Sequence, residues 1–249
     1  MSEKRKVALI TGSSRNIGYG VALRLAQDGY NIVINGTKNQ TACEAAVKDM
    51  KACGIDAIGI LADMGKREDV ERLAKESIDR FGKIDVLINN AAIRPHSDFF
   101  DMDEAEWENV MTTNLQSVFW LIRACCPGMA DRGWGRVVNF AGMQAMRGYT
   151  GGAHISVSKH GLWGLTKALA KELGPKGITM NLISPGPTST IQDDRSIQDR
   201  IARWGKEIPI GRLGAPEDIG AIVSMLVTDQ GAVVNGQMIQ ANGGLQTQV

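Results

Sequence analysis

Short runs of consecutive β-branched and leucine residues recur along this chain, and between them apolar residues return every three or four positions. The runs are VALIT (7–11), NIVIN (31–35), DAIGIL (56–61), DVLIN (85–89), RVVNF (136–140), ITMNLI (178–183) and QMIQ (237–240). An uninterrupted apolar run suits a strand covered on both faces, because its side chains alternate between faces and both must avoid water. Such strands, separated by amphipathic helices, predict an α/β protein: a Rossmann-type doubly wound parallel sheet of seven strands with helices on both faces. No Pro/Gly/Ser-rich linker, repeat or low-complexity tract breaks the rhythm, so residues 1–249 are expected to form a single domain. The one polar interruption, PTSTIQDDRSIQDRIARWGKEIPIGR at about 187–212, falls between the sixth strand and the next helix. Ligands bind at the carboxyl edge of such sheets, so this insertion is a candidate substrate lid.

Composition narrows the partners. A chain of 249 residues with 43% hydrophobic content can bury one large core. Its 28 basic and 27 acidic side chains give a net charge of +1, with none of the basic excess that a polyanion partner requires, so nucleic acid is not expected. The opening MSEKRKVALITG passes from a charged leader straight into a strand, too short an apolar run for a signal peptide or membrane span; a cytoplasmic protein with no membrane partner is expected. Cys43, Cys53, Cys125 and Cys126 lack metal-binding spacing, and the adjacent pair sits in an apolar helical stretch. Reduced packing residues, with neither metal nor disulfides, are the expectation.

Candidate chemistry begins directly after the first strand, where TGSSRNIGYG places Gly12 and Gly18 around a turn into a helix starting near Asn16. Glycine lets backbone approach a pyrophosphate, and the helix N-terminus offers unpaired N–H groups to the anion. Alone, this segment is also compatible with a simple tight turn. Further segments narrow the choice: NNAA (89–92), Asn114 in the next helix, Lys159 in a helix of small residues, and SPGPTST (184–190).

Together these motifs resemble the short-chain dehydrogenase/reductase family, especially single-domain members such as the 3-oxoacyl-carrier-protein reductases. The resemblance runs through to NGQMIQANGG (235–244). It implies a single nicotinamide-dinucleotide-binding domain, with Gly12, Ser14, Arg15, Asn16, Ile17, Gly18, Lys38, Asp63, Asn90, Ala91, Lys159, Pro185, Gly186, Thr188 and Thr190 as cofactor contacts. Asn16 replaces the family's middle glycine; asparagine is the next-best residue for a left-handed backbone, so the turn is expected to survive. Ala92 replaces the last glycine of the NNAG-type turn and adds a methyl group near the ligand. Gly36 stands where NAD-specific enzymes carry an acid at the end of the second strand. With Arg15 and Lys38 available to a 2′-phosphate, NADP(H) is the expected cofactor, although either cation alone also suits a solvated surface.

In the family a Y-x-x-x-K pair handles the hydroxyl proton, with a serine thirteen residues before the tyrosine and an asparagine on the preceding helix. Lys159 and Asn114 match, but Ile155 stands at the tyrosine position and Gly142 at the serine position. A positioned acid contributes about 10²–10⁴-fold and a carbonyl-oxygen donor about 10²–10³-fold, so the pair's loss removes most of the family's rate enhancement. Replacement groups are sought in the same region: His154, Tyr149, Gln144, and Arg94 with His96. His154 is equally a helix-N-terminal residue bonded to backbone, Tyr149 a packed aromatic, and His160 is expected to face away. Three readings stay open: an atypical NADP-dependent oxidoreductase on a carbonyl or secondary alcohol with a relocated acid, a non-redox enzyme on an oxo compound, and a catalytically silent NADP-binding subunit. Gln144, Arg94 and the charged 190–206 segment suggest a small oxygenated or anionic oxo or hydroxy substrate. Helices over about 104–130 and 154–173, the second carrying Gly161, Gly164 and Ala168, suggest a homotetramer by the same resemblance.

Overall fold

Alternation along the first strand sets the layering. The computed structural model describes residues 5–190 and 204–247. In β1 (Val7–Ile10), Val7 and Leu9 enter one core with Leu73 of α3 (Arg67–Phe81), Leu121 of α5 (Ser117–Asp131) and Leu162 of α7 (Ala153–Leu173). Ala8 and Ile10 enter the opposite core with Leu25 of α1 (Asn16–Gln27), Met50 of α2 (Gln40–Ala52) and Val223 of α8 (Pro216–Leu226). Each fully buried aliphatic side chain of this kind contributes roughly 1.5–3 kcal/mol.

The remaining strands are β2 (Asn31–Gly36), β3 (Ala57–Leu61), β4 (Val86–Asn89), β5 (Gly135–Phe140), β6 (Ile178–Pro185) and β7 (Met238–Ala241). They form one seven-stranded sheet in the order β3-β2-β1-β4-β5-β6-β7, parallel throughout. Each coincides with a run anticipated from the sequence. The largest difference is at β6, which continues through Ser184 and Pro185 because these pair with Gln240 and Ala241. Strand order reverses between β1 and β4, so the connections leaving their carboxyl ends diverge and open a crevice.

The span of about 104–130, anticipated as one long helix, is divided into α4 (Glu104–Met111), a π-helical turn (Thr112–Gln116) and α5. Such turns bulge one residue out of the regular ladder and often mark functional positions. Here the turn holds Asn114 fully buried, with its side chain on the backbone of Ile93: Oδ1 accepts from the Ile93 N–H at 2.9 Å and Nδ2 donates to the Ile93 carbonyl at 3.0 Å. A short α6 (Met143–Arg147) follows β5. Of the candidate lid at 187–212, residues 191–203 lie outside the described residues. Among the described residues, no helix is long and apolar enough to cross a membrane.

Candidate active site

A cleft of about 1080 Å³ occupies the crevice. Its walls come from the turn after β1, the end of β2, Asp63 and Met64, the NNAA segment, and Pro185 to Thr190. Gly12, Ser14, Arg15, Asn16, Ile17, Gly18, Lys38, Asp63, Asn90, Ala91, Pro185, Gly186, Thr188 and Thr190 all line it, while Lys159 lies in an adjoining pocket.

The turn is built for close approach. Gly12 has φ 61°, and Asn16, with φ 55°, is the one non-glycine residue among those described in the left-handed region. A Cβ on Gly18 would lie 2.6 Å from Asn90 Nδ2, so glycine is required there. Arg15, at the N-cap of α1, makes no side-chain capping bond, leaving the first-turn N–H groups for an anion. Two buried residues that sequence reasoning missed fix this loop. Asn35 Oδ1 accepts from the Gly12 N–H at 3.0 Å while its Nδ2 reaches the Ile60 and Ala62 carbonyls at 3.3 and 3.2 Å. Thr11 Oγ1 accepts from the Asn90 and Ala91 N–H groups, each at 3.0 Å. The available signal was a polar residue ending an apolar strand run. An uncapped helix start, a cradle that a Cβ would fill, and Asp63 as the sole carboxylate among the described lining residues together fit a dinucleotide diphosphate.

A smaller pocket of about 280 Å³ adjoins the cleft, and Arg94, Pro185 and Gly186 border both. Lys159 stands in its wall, 2% exposed, with Nζ donating to the Phe140 carbonyl at 2.7 Å. Burial, with a smaller contribution from the Arg94 charge, pushes its pKa down to about 7. One turn earlier on α7, Ile155 lines the same pocket and packs with Val110 and Ala145. Gly142 lines the same pocket in extended backbone, with φ 175°, and among the described residues beyond its chain neighbours a Cβ there would meet only Arg94 Nη2, at 3.9 Å.

Residues 12–246 match the family model described as enoyl-(acyl carrier protein) reductase. The chain is 37% identical over 245 residues to a 3-oxoacyl-[acyl-carrier-protein] reductase of Staphylococcus epidermidis, covering 96% of this chain and 98% of that protein. It is 35% identical over 241 residues to an acetoacetyl-CoA reductase of Cupriavidus necator, covering 97% and 98%. The chain belongs to the short-chain dehydrogenase/reductase family.

Within this short-chain dehydrogenase/reductase, the candidate replacement groups divide. Tyr149 lines the pocket; burial pushes its pKa up, with Arg94 opposing in part. His154 does not line it. Its ring is fully buried, with Nε2 3.2 Å from Glu106 Oε1 on α4 but without the alignment of a hydrogen bond. The candidate His154 therefore lies away from this pocket: adjacent helical residues point about 100° apart, so with Ile155 and Lys159 on the pocket face, His154 turns toward α4. Asn114 is likewise absent from the pocket wall, and its amide is committed to Ile93. Gln144 and Arg94 line the pocket as anticipated and His96 does not; Pro187 and Trp204, both from the segment anticipated as a substrate lid, also line it, with Met143, which no sequence motif marked.

Proposed function

We propose that this protein is an NADP(H)-dependent reductase of a small carbonyl compound, or the corresponding alcohol dehydrogenase, in which Lys159 handles the hydroxyl proton. The observation that carries this reading is the placement of a buried lysine in the wall of a small pocket that opens onto the cofactor cleft at Arg94, Pro185 and Gly186. When bound, the dinucleotide supplies or accepts the hydride. Lys159 spends one N–H on Phe140 and retains two others for a substrate oxygen. With a pKa of about 7 it can both give and take a proton near neutrality, which suits general acid–base work. Tyr149, with its pKa raised, keeps its proton and serves better as a hydrogen-bond donor. Relatives named as 3-oxoacyl and acetoacetyl reductases support a carbonyl substrate.

A second reading, non-redox chemistry on an oxo compound with a structural dinucleotide, is favoured by Gly142 and Ile155, which offer no transferable proton. Incubation with NADPH and a panel of β-keto and cyclic ketones, following cofactor absorbance and product mass together, separates the two. Cofactor loss with alcohol formation is the expected result; product without cofactor loss sinks the reductase reading, and no change in either leaves a silent dinucleotide-binding subunit.

For cofactor choice, at least about tenfold tighter binding of NADPH than NADH is expected, because Gly36 offers no acid to a ribose hydroxyl and Arg15 and Lys38 line the cleft beside it. That preference needs only about 1.4 kcal/mol. Calorimetric titration giving equal affinities would overturn it. A homotetramer is also expected: Gly161, Gly164 and Ala168 are exposed along α7, Val157 is 45% exposed beside them, and Phe119 on α5 is 44% exposed. Small and apolar residues on one face permit close helix packing between copies. Light scattering that returns a monomer mass would refute it.

A further inference from the structure

We propose that Lys159 is also a covalent site, whose amine forms an iminium adduct with a small aldehyde or ketone held in the pocket of about 280 Å³. The substrate class, a small carbonyl compound, rests on the reductase reading, but the reactivity belongs to the amine and needs no hydride. An amine adds to a carbonyl carbon through its lone pair, so the nitrogen must be unprotonated, unpaired with a carboxylate and set in the wall of a cavity that admits the carbonyl.

Lys159 meets these conditions. It is the one buried lysine among the described residues, and it stands in the pocket wall on the face of α7 that carries Ile155 one turn earlier. Among the described residues the hydrogen-bond partner of its Nζ is the Phe140 carbonyl, at 2.7 Å, and no carboxylate pairs with it. A carbonyl only accepts, so this bond engages an N–H and leaves the lone pair of the free amine uncommitted. None of the described lining residues is acidic, and Ala141, Met143, Ala145 and Ile155 make much of the wall apolar. Such surroundings disfavour an ammonium. With a pKa of about 7, set first by burial and then by the Arg94 charge, roughly half of the amine is free at neutral pH. An exposed lysine under the same conditions has about one free amine in a few thousand.

The reaction balances without an oxidant or reductant. The lone pair of the amine forms a bond to the carbonyl carbon while the C=O electron pair moves to oxygen. That oxygen takes one proton from the nitrogen and one from solvent and leaves as water, and the nitrogen lone pair closes the C=N bond. The iminium keeps one N–H, which the Phe140 carbonyl can accept as it does in the free protein. The ammonium and the free amine thus have separate uses: one gives a proton to a bound oxygen, the other adds to carbon.

The test is reductive trapping. The cofactor-free protein is incubated at neutral pH with sodium cyanoborohydride and either acetone or propanal, so that any iminium becomes a stable secondary amine. Proteolysis and mass spectrometry then give the rate of alkylation at each lysine. Lys159 is expected to be alkylated at least about tenfold faster than any other lysine, a small part of the difference in free amine. Unfolding in urea should abolish that lead, because burial produces it. This site-by-site map of the natural protein needs no variant to fold. Alkylation of Lys159 no faster than that of exposed lysines overturns the proposal, and so does a lead that survives in urea. The readout is separate from hydride transfer. An adduct at Lys159 without NADPH consumption on any carbonyl upholds the covalent site and removes the reductase reading, whereas NADPH consumption without an adduct does the reverse.

Discussion

Lys159→Met is expected to slow carbonyl reduction by about a hundred- to ten-thousand-fold, the range contributed by one positioned acid. Methionine preserves the length of the side chain and fills the same buried space, but it carries no proton. The fold should tolerate the change, because the hydrogen bond lost to Phe140 is offset by removal of a cation that burial disfavours. The pH dependence gives an independent check. In the natural protein the ammonium loses its proton as pH rises through about 7, so the reduction rate should fall above that point while alcohol oxidation, which needs the free amine, should rise. Stability follows from the same shift. The lysine titrates near 10.5 when unfolded and about 7 when folded, so between those values the unfolded chain binds more protons and the cofactor-free fold gains stability as pH increases. Lys159→Met should lack that gain. Rate profiles and thermal melts of both proteins across neutral to alkaline pH measure these outcomes; a variant with undiminished reduction would take Lys159 out of the chemistry.

Much of this architecture was legible because burial on both faces writes itself into sequence as continuous apolar runs. Val7 to Ile10 must satisfy two cores at once, and only a strand inside a covered sheet demands that. The turn that lines the larger cleft was legible for a related reason: Gly12, Asn16 and Gly18 answer to local backbone geometry, which residue type alone reports. What stayed hidden depends on which way a side chain turns in the folded chain. His154 and Ile155 are neighbours in sequence, yet one lies against Glu106 and the other in the pocket, since the phase of α7 is set by packing. The π-helical turn at Thr112–Gln116 leaves no periodic trace, so Asn114 could be picked out while its attachment to Ile93 could not. The closeness of Arg94 to Gly142, separated by nearly fifty positions in the chain, is likewise a product of the assembled sheet.

Restoring both absent groups is expected to raise reduction of a simple activated ketone by NADPH at least about a hundredfold, the lower bound for one positioned acid. Gly142→Ser meets no steric obstacle among the described residues, as its backbone is extended and the one such neighbour of a Cβ there is Arg94 Nη2, at the ordinary contact distance of 3.9 Å. Ile155→Tyr is harder. Ile155 is 1% exposed and packs against Val110 and Ala145, so the larger ring overpacks this cluster at a cost of about 1–3 kcal/mol, relieved where it projects into the pocket. The new phenol would stand one helical turn from Lys159, whose nearby charge favours the phenolate and brings its pKa toward a useful range. Either single change should gain much less, because the serine orients the oxygen that the tyrosine protonates, and groups acting as a unit are not additive. A double variant that folds, binds NADPH and yet gains nothing on any ketone would mean that the space around Gly142 and Ile155 serves other chemistry, and the weight would then shift to the non-redox reading.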